Sequence, residues 1–102
     1  MDELMERGEK VYGTYCAACH QANGNGITGV FPALNGSPMV LEDIEGHIDI
    51  ILNGKPGTAM QAFAAQLNDA DLAAVVTYER NAWDNQTGDI IQPATVKSLR
   101  IQ

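Results

Sequence analysis

The stretch YCAACHQANGNG, Tyr15 to Gly26, sets two cysteines and a histidine within five residues and then breaks into asparagine and glycine. The chain has two cysteines and two histidines in all, so three of these four scarce residues share one short segment. Upstream, Leu4, Gly8, Val11, Tyr12 and Tyr15 recur at helical spacing and Asp2 is placed to cap the start, so the cysteines follow the end of an amphipathic helix. Gly8 in that helix costs about 1 kcal/mol relative to alanine. A close approach by another element would account for it.

Downstream, QANGNGITGVFPALNGS (21–37) holds four glycines, three asparagines and a proline, and reads as loop. LEDIEGHIDIILNG (41–54) predicts a second helix, with Leu41, Ile44, Ile48, Ile51 and Leu52 on one face and Gly54 as its stop. KPGTAMQAF (55–63) is loop again. A third helix starts at Asn68, where NDAD offers a cap residue with a carboxylate three places on, and runs to about Trp83 on Leu72, Val75, Val76 and Tyr78. The remainder, 85–102, is mixed; the expectation is one short extended piece in a tail packed on the surface or poorly ordered. Residues 1–84 then form the domain: all-α, three main helices and unusually long loops. Loops that long need something to pack against.

The bulk properties narrow the field. At 102 residues the chain is one domain, 45% hydrophobic and 19% charged. No apolar run approaches the ~18 residues of a membrane span, so no membrane contact by this stretch itself is expected. Thirteen acids against six bases give a net charge of −7, which argues against nucleic acid or anionic lipid as a partner. The acids either keep the domain soluble or form a docking patch. MDELMERGEK lacks the apolar stretch of a secretory signal. The chain is then cytoplasmic, or a mature or excised piece of a longer one.

Three chemistries use cysteines and a histidine so grouped. A thioredoxin-like dithiol needs its C-x-x-C at the start of a helix in a βαβ unit; here the pair ends a helix and QANGNG cannot continue one. Cys16, Cys19, His20 and His47 have the ligand count for zinc, but adjacent Cys19 and His20 rarely reach one tetrahedral ion. Covalent haem remains: C-x-x-C-H is the signature of c-type attachment, two thiols adding to one porphyrin with the next histidine under the iron. A haem is also a large apolar slab for the loops to wrap.

With His20 on one face of the iron, the other face could take His47, Met1, Met5, Met39 or Met60. Met1 and Met5 lie upstream on the first helix and read as core or terminus filler. Met39 opens the second helix as a packing residue, and His47, on the edge of an apolar stripe, reads as a solvated or hydrogen-bonded histidine. Met60 sits among Gly54, Lys55, Pro56, Gly57 and Thr58, free of helical register. A thioether opposite an imidazole favours ferrous iron and suits electron transfer, so Met60 is the preferred ligand.

From Gly8 to Trp83 the chain resembles a class I cytochrome c domain. The resemblance rests on Gly8 and Tyr12 ahead of the first cysteine, on C-x-x-C-H, on Pro32 twelve residues after the histidine, and on Met60 in a loop before the last helix. It implies one covalently attached haem c held by Cys16, Cys19, His20, Pro32, Leu34 and Met60, with His20 and Met60 as metal ligands. The Pro32 carbonyl would orient the His20 imidazole and Leu34 would pack on the haem. The first and last helices would cross at Gly8, against Val75 and Tyr78. Gln61 stands where relatives often have proline. More narrowly, ILNGKPGTAMQAF, LAAVVTYERNAWDNQTGD and IIQPATV look like the haem c domain fused to the C-terminus of some bacterial cytochrome c oxidase subunit II chains.

That narrower resemblance implies a monomeric one-electron carrier on the periplasmic side of a bacterial inner membrane. It would take electrons from an upstream cytochrome or the quinol–cytochrome c reductase and pass them to the oxidase's binuclear copper domain. The alternatives are a freestanding periplasmic cytochrome c, a haem sensor or peroxidase-like enzyme with an open iron site, and a haem-free dithiol module. The loops expected to frame the haem edge, Ala17–Asn25 and Gly54–Phe63, hold one charge, Lys55, while acids gather at 2–9, 42–49 and 69–89. Docking is therefore expected through a mostly uncharged face.

Overall fold

Helix α1 (Asp2–Tyr15) crosses helix α5 (Asp69–Asn81), and that crossing organises the rest of the fold. The computed structural model describes Asp2 to Arg100 except Val30, Pro56 and Ala59. Met1 and the Asp2 side chain, assigned above to filler and cap, lie outside the described residues. Gly8 is the point of closest approach. A Cβ there would strike the Ala74 carbonyl oxygen and stand 2.6 Å from Tyr78 Cβ. Only a residue without a side chain allows this spacing, which offsets the helix cost of glycine. Ala74 and Tyr78 make the nearest contacts to Gly8, and Val75, named for this crossing from sequence, is fully buried in the same hydrophobic core as Val11 and Tyr12 of α1.

Beside the crossing, Tyr12, Tyr78 and Trp83 form a cluster with ring centroids 5.2–5.7 Å apart. Such tilted and edge-on pairs add to area burial. Beneath them, Ile48, Ile51, Leu52, Leu67, Leu72, Val75 and Val76 make one buried cluster with Phe63, Ile91 and Val96.

The second helix departs from the sequence expectation. It is two segments, α3 (Pro38–Glu42) and α4 (Ile44–Asn53), with α2 (Ala17–His20) preceding them. Asp43 breaks the run: its backbone leaves helical geometry and its carboxylate accepts from the Gly46 N–H at 3.0 Å, capping α4. Gly54 closes α4 at positive φ, as expected. Asn68 caps α5 by accepting from the Asp71 N–H at 2.8 Å. The helix ends at Asn81, two residues short of Trp83, because Ala82 is extended and Trp83 has φ of 58°.

The tail also differs. Pro93–Arg100 is a helix, α6, begun by a proline that needs no N–H partner there. Val96 is fully buried and Ile91 nearly so, against α4 and α5. Among the described residues the sole strand-like feature is a bridge between Ile27 and Phe31, so the chain is all-α.

Candidate functional site

The C-x-x-C-H segment forms as a continuation of α1. The Cys16 N–H donates to the Tyr12 carbonyl at 2.9 Å, and the His20 N–H donates to Cys16 at 3.1 Å, making the single turn α2. Residues three and four apart on a helical turn share a face, so Cys16, Cys19 and His20 are presented together. Gln21, at φ 68°, then turns the chain away, and its carbonyl accepts the Tyr12 hydroxyl at 2.6 Å.

The loop returns behind His20. Gly26 donates to the His20 carbonyl, and a Cβ at Gly26 would lie 2.6 Å from the Pro32 oxygen, so the loop closes only over glycine. This places the Pro32 carbonyl 2.9 Å from His20 Nδ1. A carbonyl only accepts, so the proton is on Nδ1 and Nε2 keeps its lone pair for a metal. Leu34 packs against the core, with its N–H on Gly24 and its carbonyl on Asn85 Nδ2.

Met60, half-buried, packs against the same core. Its loop is pinned by Lys55 N–H on the Met60 carbonyl at 3.1 Å and by Phe63 N–H on Ile51 at 2.8 Å. Phe63 meets Tyr15 edge-on at 5.8 Å, which joins this loop to the residue just before Cys16. Met39 is 39% exposed at the start of α3, and Met5 is half-buried on α1.

No disulfide joins Cys16 and Cys19. Burial, with the charge of Glu79 next, pushes the Cys16 thiol well up from its ordinary range. A redox dithiol needs the opposite shift. Zinc fares no better: His47 is buried on α4 with Nε2 3.4 Å from Glu79 Oε1, and among the described residues no group of three or more His, Cys, Asp or Glu side chains is placed to hold a metal ion. Haem fits: two thiols and an oriented imidazole on one turn, flanked by apolar side chains left exposed at Tyr15 and Ile27.

Sequence reasoning missed the polar residues behind the site. Glu79 and Arg80 are 2% and 3% exposed although α5 reads as a helix with a charged end. Arg80 donates to the Val40 and Leu41 carbonyls and pairs with Asp89. The signal was present in register, since Glu79 follows Leu72, Val75 and Val76 on the buried face.

Residues 3–78 match the family model described as cytochrome C oxidase, cbb3-type, subunit III. The cytochrome c subunit of alcohol dehydrogenase (quinone) from Gluconobacter oxydans is 30% identical over 91% of the chain, and the chain spans 22% of that protein's length. Cytochrome c-552 from Thermus thermophilus is 33% identical over 74% of the chain and 67% of its own length. A solved dihydro-heme d1 dehydrogenase in complex with DHE matches with a TM-score of 0.61 and 37% identity, over 74% of this chain and 16% of that one.

Proposed function

Because the chain belongs to the family of cytochrome c domains described as cytochrome C oxidase, cbb3-type, subunit III, and binds covalently attached haem c, we propose that it relays single electrons through a centre held by Cys16, Cys19, His20 and Met60. The observation that carries this reading is the 2.9 Å contact from His20 Nδ1 to the Pro32 carbonyl, which directs Nε2 to a metal. When bound, the haem supplies a one-electron iron couple, and a thioether across from the imidazole favours the ferrous state. Cys16 and Cys19 would anchor the group covalently, the Pro32 carbonyl would orient His20, and Leu34 would pack against it. Met60 would complete the set of residues that hold it, and its loop would keep exogenous ligands out.

The acceptor we propose is the binuclear copper domain of a terminal cytochrome c oxidase, with an upstream cytochrome or quinol–cytochrome c reductase as donor, on the periplasmic side of a bacterial inner membrane. Support comes from the subunit II-like segments around Met60 and Trp83 and from the family's oxidase description. A second reading, a cytochrome module delivering electrons out of a quinone-linked dehydrogenase, is favoured by the relative that matches 91% of the chain. Among the described residues no helix is long and apolar enough to cross a membrane, so any anchoring rests with other parts of such an assembly.

The test is electron transfer from the haem-loaded domain to a separately made copper domain of the same organism's oxidase, followed against ionic strength. Efficient transfer with a shallow salt dependence supports docking through the nearly uncharged face. No transfer, or a rate that collapses between low and physiological salt, contradicts it.

A further inference from the structure

Residues 83–100 extend past the 3–78 stretch that the family model matches, yet they grip both loops of the site. On the His20 side, Trp83 Nε1 donates to the Ala22 carbonyl at 2.9 Å. Asn85, 2% exposed, donates to the Leu34 carbonyl and accepts from the Gly36 N–H at 2.8 Å. On the Met60 side, Arg100 spreads its guanidinium over one turn. Nη1 donates to the Ala64 carbonyl at 2.7 Å, Nη2 to Leu67 at 2.9 Å, and Nε to Asp69 Oδ1 at 2.9 Å.

That turn begins four residues after Met60. Its other edge is held by Phe63 and Ala64 N–H groups on the carbonyls of Ile51 and Leu52. The segment is therefore clamped between α4 and α6, and α6 is itself fixed by the fully buried Val96. A planar fork satisfying two carbonyls and a carboxylate is specific to arginine; lysine offers the charge without the fork.

Resting on the reading of Met60 as an axial ligand, we infer that α6 is a strap of the cofactor cradle, with Arg100 as the positioning residue that keeps the Met60 loop closed. Arg100 is not among the residues that would hold the haem; its partners are Ala64, Leu67 and Asp69. It acts through the 64–67 turn, so its loss opens the loop while the thioether anchors and His20 stay in place.

The experiment follows displacement of the sixth ligand by added imidazole in the haem-loaded, oxidised domain, with thermal melts alongside. Arg100→Gln should raise the displacement rate about tenfold, the scale of a charge-assisted hydrogen bond lost from the closed loop. Arg100→Lys should fall between, and Arg7→Gln, which breaks the surface pair with Asp71, should match the unaltered protein. Wild-type displacement rates in Arg100→Gln overturn the strap, as does an Arg7→Gln rate raised equally. If Arg100→Gln does not fold, Arg100→Lys decides on the same terms. An unaltered protein with no sulfur-to-iron charge-transfer band overturns the Met60 reading itself, and the inference falls with it.

Discussion

The Pro32 carbonyl oxygen stands 2.9 Å from His20 Nδ1, across a loop that closes only because residue 26 is glycine. This contact sets the tautomer and fixes the ring plane of the one histidine adjacent to the cysteines. Gly26→Ala should therefore disturb the site without touching any ligand, since its positive φ and its contact with the loop backbone both oppose a side chain.

The helix crossing gives a stability prediction. Gly8→Val should push α1 from α5 and destabilise the haem-loaded domain by on the order of 3 kcal/mol, through overpacking and lost contacts. Thermal unfolding is the check, and the haem should remain covalently attached. A mutant melting at the wild-type midpoint would show that the close approach to Ala74 and Tyr78 is absent in solution.

Buried polar coupling gives a second. His47 and Glu79 are 4% and 2% exposed and face one another at 3.4 Å, with His47 Nδ1 and Glu79 Oε1 lacking hydrogen-bond partners. Replacing either by leucine should cost about 1–3 kcal/mol, because the other is left buried without its counterpart. The double replacement should cost clearly less than the sum of the two. Additive costs in a double-mutant cycle would mean the two side chains are independent.

How much of this was legible in the sequence depends on how local the cause is. The turn that gathers Cys16, Cys19 and His20 follows from spacing alone, and the Asn68 cap and Gly54 stop follow from single residue types. The break at Asp43 was hidden because the apolar spacing continues through it; one carboxylate on the Gly46 N–H outweighs the periodicity. Helix α6 was hidden because PATVKSLR has few apolar residues, and its stability comes from burying Val96 against elements far away in the chain. The burial of Arg80 depends on carbonyls of Val40 and Leu41, some forty positions distant. No local pattern announces such partners. The Pro32 contact spans twelve residues and was reachable only through family resemblance.

Alkaline pH gives a third prediction. Burial, with the charge of Glu79 next, holds the Tyr12 hydroxyl well above its ordinary value of 10.0, while it donates to the Gln21 carbonyl. The folded state thus keeps a proton that the unfolded chain releases above pH 10. Stability should be fully present below that pH and decline as pH rises past it. Tyr12→Phe should flatten the decline in denaturant-derived stability between about pH 10 and 11, near the ordinary tyrosine value. An equally steep decline in the mutant would assign it to other groups.

The claim at the centre is that Met60 sits across the iron from His20. The most direct measurement is the far-red absorption of the oxidised, haem-loaded domain in the unaltered protein, Met60→Ala and Met39→Ala. A sulfur-to-iron charge-transfer band should be present in the first, lost in the second with a lowered reduction potential, and kept in the third. A band that survives Met60→Ala, or disappears with Met39→Ala, would contradict the ligand assignment.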